Sequence, residues 1–217
     1  MTTRRTIRTD IAPDPLVLVV DDDDGMRSAL QRLLTRGGLA VDAYATGEQF
    51  LAAARFDRPG CIVLDVGMPQ MSGLEVQALL KRRGVMLPVV FLTGSADIPI
   101  AVAAMREGAV DFIEKPFEND DLVLRVRAAI EHDQRSRRRQ HERTAIIKRL
   151  EKVTPREREV MELVVTGKTS KQIARDLGAS HRTVEIHRAR LMEKKEAATL
   201  ADLVRMHLLL RGDETDA

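Results

Sequence analysis

A chain of 217 residues with 44% hydrophobic side chains can build one large or two small domains with real cores, and with 3% aromatics and no Trp those cores must be aliphatic. A single cysteine, Cys61, excludes an internal disulfide and suits a reducing, cytoplasmic setting, and no run of about 18 apolar residues is present to span a membrane. The net charge of +2 hides an asymmetry: residues 1–131 carry 15 Lys+Arg against 19 Asp+Glu, and residues 132–217 carry 20 against 14, so only the second half has the balance of a nucleic-acid binder.

Residues 1–14 lack the apolar core of a signal peptide and read as a disordered tail, closed by the turn residues Pro13 and Pro15. From residue 15 to 131, short apolar runs alternate with amphipathic stretches. The predicted strands are "LVLVV" (16–20), "AVDAY" (40–44), "CIVL" (61–64), "VVFL" (89–92) and "DFI" (111–113); Cys61 is core filler in the third. The predicted helices cover 25–36, 46–54, 73–83, 97–107 and 119–131, with "RGG", "RPG" and "RRG" at the joints. Five βα units with continuous apolar strands predict an α/β fold: a (βα)5 doubly wound parallel sheet covered on both faces.

Residues 132–150 change texture. "EHDQRSRRRQHERT" (131–144) holds almost nothing apolar and reads as a linker, helical if it continues the fifth helix. It is able to meet a phosphate backbone, although an exposed connector is its primary reading. Residues 151–212 are then purely helical. Thr154, Pro155 and Glu157 form a capping-box start, "TSKQ" (169–172) repeats the signal, and "SHRT" begins a third helix at Ser180. "TLADLVRMHLLL" (199–210) is a fourth helix, too apolar for a lone surface element. Helices two and three flank "LGAS", a tight turn with Gly178, which makes a helix-turn-helix. The second domain is therefore an all-α, four-helix unit.

Ligands of open parallel sheets bind beyond the carboxyl ends of the strands. There the sequence places Asp21, Asp22, Asp23 and Asp24 after the first strand, Asp65 after the third, Thr93 after the fourth, and Lys115 and Pro116 after the fifth. Asp21, Asp22 and Asp65 offer hard oxygen donors to Mg²⁺, which typically takes one or two carboxylates plus water and substrate oxygens. Lys115 adds a mobile cation and Thr93 a hydroxyl donor. Together they match a phosphoryl group, whose charge is spread over several oxygens. Asp23 and Asp24 are expected to face solvent or to begin the next helix, where the dipole favours acids.

"VVDDDDGMR", "LDVGMPQMSG", "VVFLTGSAD" and "DFIEKPF" resemble the four signature segments of a two-component response-regulator receiver domain, over about residues 15–131. The resemblance implies strand order 2-1-3-4-5. It also implies that Asp65 is phosphorylated by a cognate sensor histidine kinase. Asp22 would then be the direct metal ligand, Asp21 would act largely through water, and the Gly67 carbonyl would complete the protein's share. Lys115 would pair with the phosphoryl group across a cis Lys115–Pro116 bond. Thr93 would grip a phosphoryl oxygen, and Phe112 would be the switch aromatic. Many relatives carry Tyr there; Phe112 has no hydroxyl, so packing alone must hold its inward state.

Residues 154–210 resemble the LuxR-type helix-turn-helix of the NarL/FixJ regulators, in "VTPREREV" and "SKQIARDLGASHRTVEIHRARLMEKK". The subfamily is FixJ-like in both halves, "GAVDFIEKPFE" included. On the recognition helix Val184, Leu191 and His187 share a face, with His187 expected as a packed histidine. Arg182, Thr183, Glu185, Ile186, Arg188 and Ala189 lie on other faces, open to a major groove of double-stranded DNA. Glu accepts from cytosine, Arg bridges guanine, and an apolar side chain touches the thymine methyl. Lys168, Lys171, Lys194 and Lys195 are expected to contact phosphates.

The leading reading is a phosphorylation-controlled transcription regulator that forms a homodimer through the predicted helix 97–107 and the fifth strand; RNA polymerase is a further candidate partner. Two other readings are open. A Mg²⁺-dependent aspartyl-phosphate hydrolase usually carries an acid two residues after its nucleophile, where this chain has Gly67. A phosphate-independent DNA-binding protein with a relict receiver has no need of the filled acidic, Thr and Lys positions.

Overall fold

The computed structural model describes residues 14–94, 102, 104–150 and 153–195, with two compact units, 1–137 and 138–217. The first unit is a five-stranded parallel sheet in the order β2-β1-β3-β4-β5. The strands are β1 (Leu16–Val20), β2 (Ala40–Tyr44), β3 (Gly60–Asp65), β4 (Val89–Thr93) and β5 (Asp111–Glu114). Among the described residues the helices of this unit are α1 (Asp24–Arg36), α2 (Gly47–Ala53), α3 (Gly73–Arg82) and the first part of α4 (Asn119–Leu150), which continues past residue 137. Of the predicted helix 97–107, residues 102 and 104–106 are described and are helical; the remaining part before 104 lies outside the described residues.

Position in the sheet explains strand composition. β1, β3 and β4 have neighbours on both sides and are buried throughout, so their side chains are apolar except at the carboxyl ends of β3 and β4, where Asp65 and Thr93 stand. β2 and β5 are edges, each paired on one side, and there Asp42, Asp111 and Glu114 are accommodated. Along β1 the side chains alternate between faces. Leu16, Leu18 and Val20 join a core with Phe50 of α2 and Val76 and Leu80 of α3. Val17 and Val19 join a second core with Leu30 and Leu34 of α1 and Leu122, Val126 and Ile130 of α4. Cys61 is fully buried in that second core, and burial pushes its thiol far up, so it is inert packing.

Two corrections concern the ends of this unit. Asp14, placed by the sequence in the disordered tail, has its carbonyl oxygen held by the Arg58 guanidinium at 3.1 and 2.5 Å. Most side chains at the start of the expected exposed linker are exposed, but Asp133 and Arg137 are not. Helix α4 runs unbroken to Leu150, and Asp133 is 2% exposed. Its carboxylate accepts from the Gly60 N–H (3.0 Å) and the Arg137 Nε (2.8 Å), while Arg137 also donates to the Phe56 carbonyl (3.1 Å). The polar stretch misleads because its partners are backbone groups far away in sequence. Gly60 itself must lack a side chain, since a Cβ there would lie 1.9 Å from the Leu16 carbonyl oxygen.

The second unit has three described helices beyond α4: α5 (Pro155–Val165), α6 (Ser170–Asp176) and α7 (His181–Lys195). Both predicted capping boxes form, Thr154 with Glu157 and Thr169 with Gln172. Gly178 closes α6 at φ +59°, a left-handed conformation that glycine adopts without steric cost. Val160, Met161, Val164, Ile173, Val184 and Leu191 form the core of this unit. The predicted fourth helix, 199–210, lies outside the described residues.

Candidate functional site

The strand order reverses between β1 and β3, and that reversal opens a crevice at their carboxyl ends. Val20 pairs with Leu64, Asp65 with Leu92 and Thr93 with Glu114, so the residues that end or succeed these strands collect on one rim. At its centre the Lys115 ammonium meets two carboxylates, Asp21 Oδ2 at 2.9 Å and Asp65 Oδ1 at 2.6 Å. The other oxygens are also engaged: Asp21 Oδ1 accepts from the Asp23 N–H and Asp65 Oδ2 from the Gly67 N–H, each at 2.9 Å. Asp21 is 1% exposed and Asp65 and Thr93 are each 6% exposed. The Lys115–Pro116 bond is cis, and the Lys115 N–H donates to the Thr93 carbonyl at 2.6 Å.

The four consecutive aspartates divide into distinct tasks. Asp21 turns inward to Lys115, whereas Asp22 is exposed beside it. Asp23 is the N-cap of α1, accepting from the Met26 N–H at 2.7 Å. Asp24 opens the helix and pairs with Arg27. Arg27 escapes a reading of the sequence alone; it reaches back to the Asp21 carbonyl at 2.8 Å and so braces the acidic turn. Its spacing, three residues after Asp24, is the available signal. Gly73 matters too: a Cβ there would lie 2.3 Å from the Asp65 carbonyl oxygen, so glycine lets the start of α3 approach the end of β3.

Burial is the main reason the Asp21 carboxyl is held above its usual range, against the hydrogen bond and charge of Lys115. Burial works against the Lys115 charge as well, but its hydrogen bonds to Asp65 and Asp21 prevail and hold the ammonium above its usual range. A group raised in the folded state stabilises below its unfolded pKa and loses that contribution as pH rises through the folded one. Charged Asp21 is therefore a cost at neutral pH. In metal-free protein Asp21→Asn is expected to melt at a higher temperature than the wild type near pH 7. The advantage should vanish below about pH 4, where Asp is protonated in both states. Thermal melts at the two pH values check this.

No group of three or more His, Cys, Asp or Glu side chains converges as a metal cage among the described residues. Two buried carboxylates beside an exposed third, all hard oxygen donors around one lysine, nonetheless have the chemistry of a Mg²⁺ cradle completed by water and backbone. Phe112 is half-buried and packs on Phe91, ring centroids 6.4 Å apart at 46°. Val102, Met105 and Val110, in the segment before β5, are exposed apolar side chains at 43%, 48% and 37%. Asp111 at the start of β5 is held in a two-oxygen pair by Arg125 at 2.8 and 2.9 Å.

In the second unit Val184 and Leu191 of α7 are buried and His187 is half-buried. Arg182, Glu185 and Ile186 are exposed, and Lys171 is exposed on α6. Three expected DNA contacts have tasks within the fold. Arg188 is half-buried and donates to Ser170 Oγ at 3.3 Å. The Thr183 N–H and hydroxyl both engage Ser180, at 3.1 and 2.7 Å, as part of the helix start. Lys168 pairs with Asp176 at 2.7 Å. The side chains of Lys194 and Lys195 lie outside the described residues.

Residues 17–127 match the family model described as response regulator receiver domain, and residues 151–207 the model described as bacterial regulatory proteins, luxR family. The chain is 46% identical to the transcriptional regulatory protein FixJ of Azorhizobium caulinodans, across 89% of this chain and 92% of that one. It is 41% identical to nodulation protein W of Bradyrhizobium diazoefficiens, across 91% and 87%. Among solved structures, the response regulator StyR superposes with a TM-score of 0.79 at 36% identity, across 89% and 98% of the two chains. Full-length FixJ from B. japonicum superposes with a TM-score of 0.57 at 37% identity, across 90% and 96%. No described helix is long and apolar enough to cross a membrane.

Proposed function

Since this chain belongs to the NarL/FixJ family of two-component response regulators, we propose that Asp65 is its phosphoacceptor and that the aspartyl phosphate controls dimerisation and DNA binding. Response regulators of this family regulate transcription through a LuxR-type DNA-binding half and answer to a sensor kinase. The observation that carries the assignment of Asp65 is the Lys115 ammonium shared between Asp65 and Asp21 at the sheet's reversal point.

An Asp65 carboxylate oxygen attacks phosphorus as the bond from phosphorus to the kinase imidazole nitrogen breaks, and the imidazole leaves with the bonding pair. Lys115, already 2.6 Å from Asp65, tracks the new negative charge onto the phosphoryl oxygens. Thr93 supplies a hydroxyl to the same group from the end of β4. Mg²⁺, held by Asp22, Asp65 and the Gly67 carbonyl with Asp21 acting through water, would offset the repulsion between carboxylate and phosphoryl group. Asp24 has no part in this site, being committed to Arg27. The arrangement favours stoichiometric phosphorylation over turnover of general phosphate esters, because Gly67 stands where a hydrolase carries its acid.

The domains in this reading are a receiver at 15–131, a linker at 132–150 and a DNA-binding half at 151–212. The phosphorylated receiver rearranges Thr93 and Phe112 and pairs with a second copy through the apolar face of Val102, Met105 and Val110. The setting is the cytoplasm, and RNA polymerase is the further partner at the promoter. Multi-angle light scattering should show the mass double after acetyl phosphate and Mg²⁺ are added; an unchanged monomer on and off DNA would remove dimerisation from the mechanism.

On DNA, the exposed Glu185 and Ile186 read bases, with Arg182 beside them and Lys171 on phosphate. Lys194 and Lys195 are proposed as further phosphate contacts. Glu185→Ala is expected to cost about 1–3 kcal/mol at one base position and to relax the preference there. Selection from a randomised duplex library checks this; a variant that binds every sequence more tightly by the same factor would make Glu185 an electrostatic brake instead.

A further inference from the structure

Helix α4 has two faces with different obligations. At about 100° per residue, Leu122, Val126, Ile130, Asp133 and Arg137 fall on one side, the side that packs on the sheet and grips the loop before β3. Arg135, Arg138 and Arg139 fall on the far side of the helix from Asp133 and Arg137, and all three are exposed. Glu131 and Glu142 stand one turn before and after them, at spacings suited to pairing. Even so, among the described residues Arg135, Arg138 and Arg139 form no ion pair. Like charges three and four residues apart on a helix repel and destabilise it by a few tenths of a kcal/mol per pair. The protein satisfies Arg137 internally and leaves the three neighbouring guanidiniums to solvent.

We infer that Arg135, Arg138 and Arg139 form a second DNA-contacting surface, on the linker helix, which binds phosphate backbone without reading base sequence. Three guanidiniums along about one turn of helix suit a row of phosphates, whose charge they meet whatever the base sequence. The surface is covalently part of the chain whose other half docks on DNA. Contacts too weak to hold DNA alone therefore act at high effective concentration once that half is bound. The inference rests on the DNA-binding role above and adds a sequence-independent component to it.

The test uses the full chain after treatment with acetyl phosphate and Mg²⁺, with a mixed-sequence duplex of about 40 base pairs titrated between about 50 and 200 mM salt. Replacing Arg135, Arg138 and Arg139 together by Gln should lower the slope of log affinity against log salt by about 2 to 3, and weaken binding by about tenfold or more near 100 mM salt. Replacing the same three by Lys should keep the slope, since charge and not base readout is at issue. Circular dichroism and the extent of phosphorylation should match wild type in both variants. A Gln variant with the wild-type slope, bound by a wild type that itself responds to salt, overturns the second surface and leaves the regulator reading standing. A wild type that binds no duplex overturns both. A Gln variant that has lost helix content is replaced by the three single Gln variants; slopes all equal to wild type then overturn the inference.

Discussion

Asp65→Asn should take up no phosphoryl group. With acetyl phosphate and Mg²⁺ the intact mass of the wild type should rise by one phosphoryl unit, while the variant stays at its starting mass, a loss of at least about a hundredfold in rate, or about 2.7 kcal/mol of barrier. The reason is electronic before it is structural. A carboxylate oxygen carries the charge that attacks phosphorus, whereas the amide oxygen is a weak nucleophile and the amide nitrogen has its lone pair delocalised. The fold has little reason to object, because an asparagine oxygen can still accept the Gly67 N–H and Lys115 keeps Asp21. A folded protein without the modification is thus the expected result. Labelling of the variant at the wild-type rate would move the acceptor elsewhere.

Leu191→Ala should lower the melting temperature of the second unit and weaken DNA binding while leaving phosphorylation of Asp65 untouched. Leu191 is fully buried in the core of the second unit, with Val160, Ile173 and Val184. Leu-to-Ala changes at such sites cost about 2–5 kcal/mol through lost burial and the cavity left behind. A domain of roughly 60 residues is stable by only about 3–9 kcal/mol, so one truncation consumes much of it. The first unit has its own two cores and shares none of these side chains. Two melting transitions, with only one shifted, and an unchanged mass gain on phosphorylation would establish this independence. Loss of both activities together would mean that the halves do not fold separately.

The fold was legible wherever one periodicity held over a whole element. Continuous apolar strands, amphipathic stretches and capping boxes such as Thr154 with Glu157 are local patterns with local causes, and β1 to β5 and α5 to α7 stand where those patterns put them. The gathering of Asp21, Asp65, Thr93 and Lys115 on one rim was legible as well, because parallel strands all end on the same edge and the residues at each strand end are plain in the chain.

Other features needed the packed structure. Which aspartate of the four turns inward depends on where Lys115 lies, 94 residues on from Asp21, and on Arg27 bracing the turn from behind. Asp133 is polar in a polar stretch, yet it is buried because the Gly60 N–H, 73 residues distant, needs an acceptor. Arg188, Thr183 and Lys168 have side chains suited to DNA but make contacts within their own unit. Composition and periodicity determined the element types, the two-part organisation and the chemistry available at the sheet edge, because these arise from interactions between near neighbours and from the hydrophobic effect summed over each element. The partner of each charged side chain was decided only in the tertiary structure, because a hydrogen bond or ion pair forms over about 3 Å and fixing it requires distant segments to be placed to within that length.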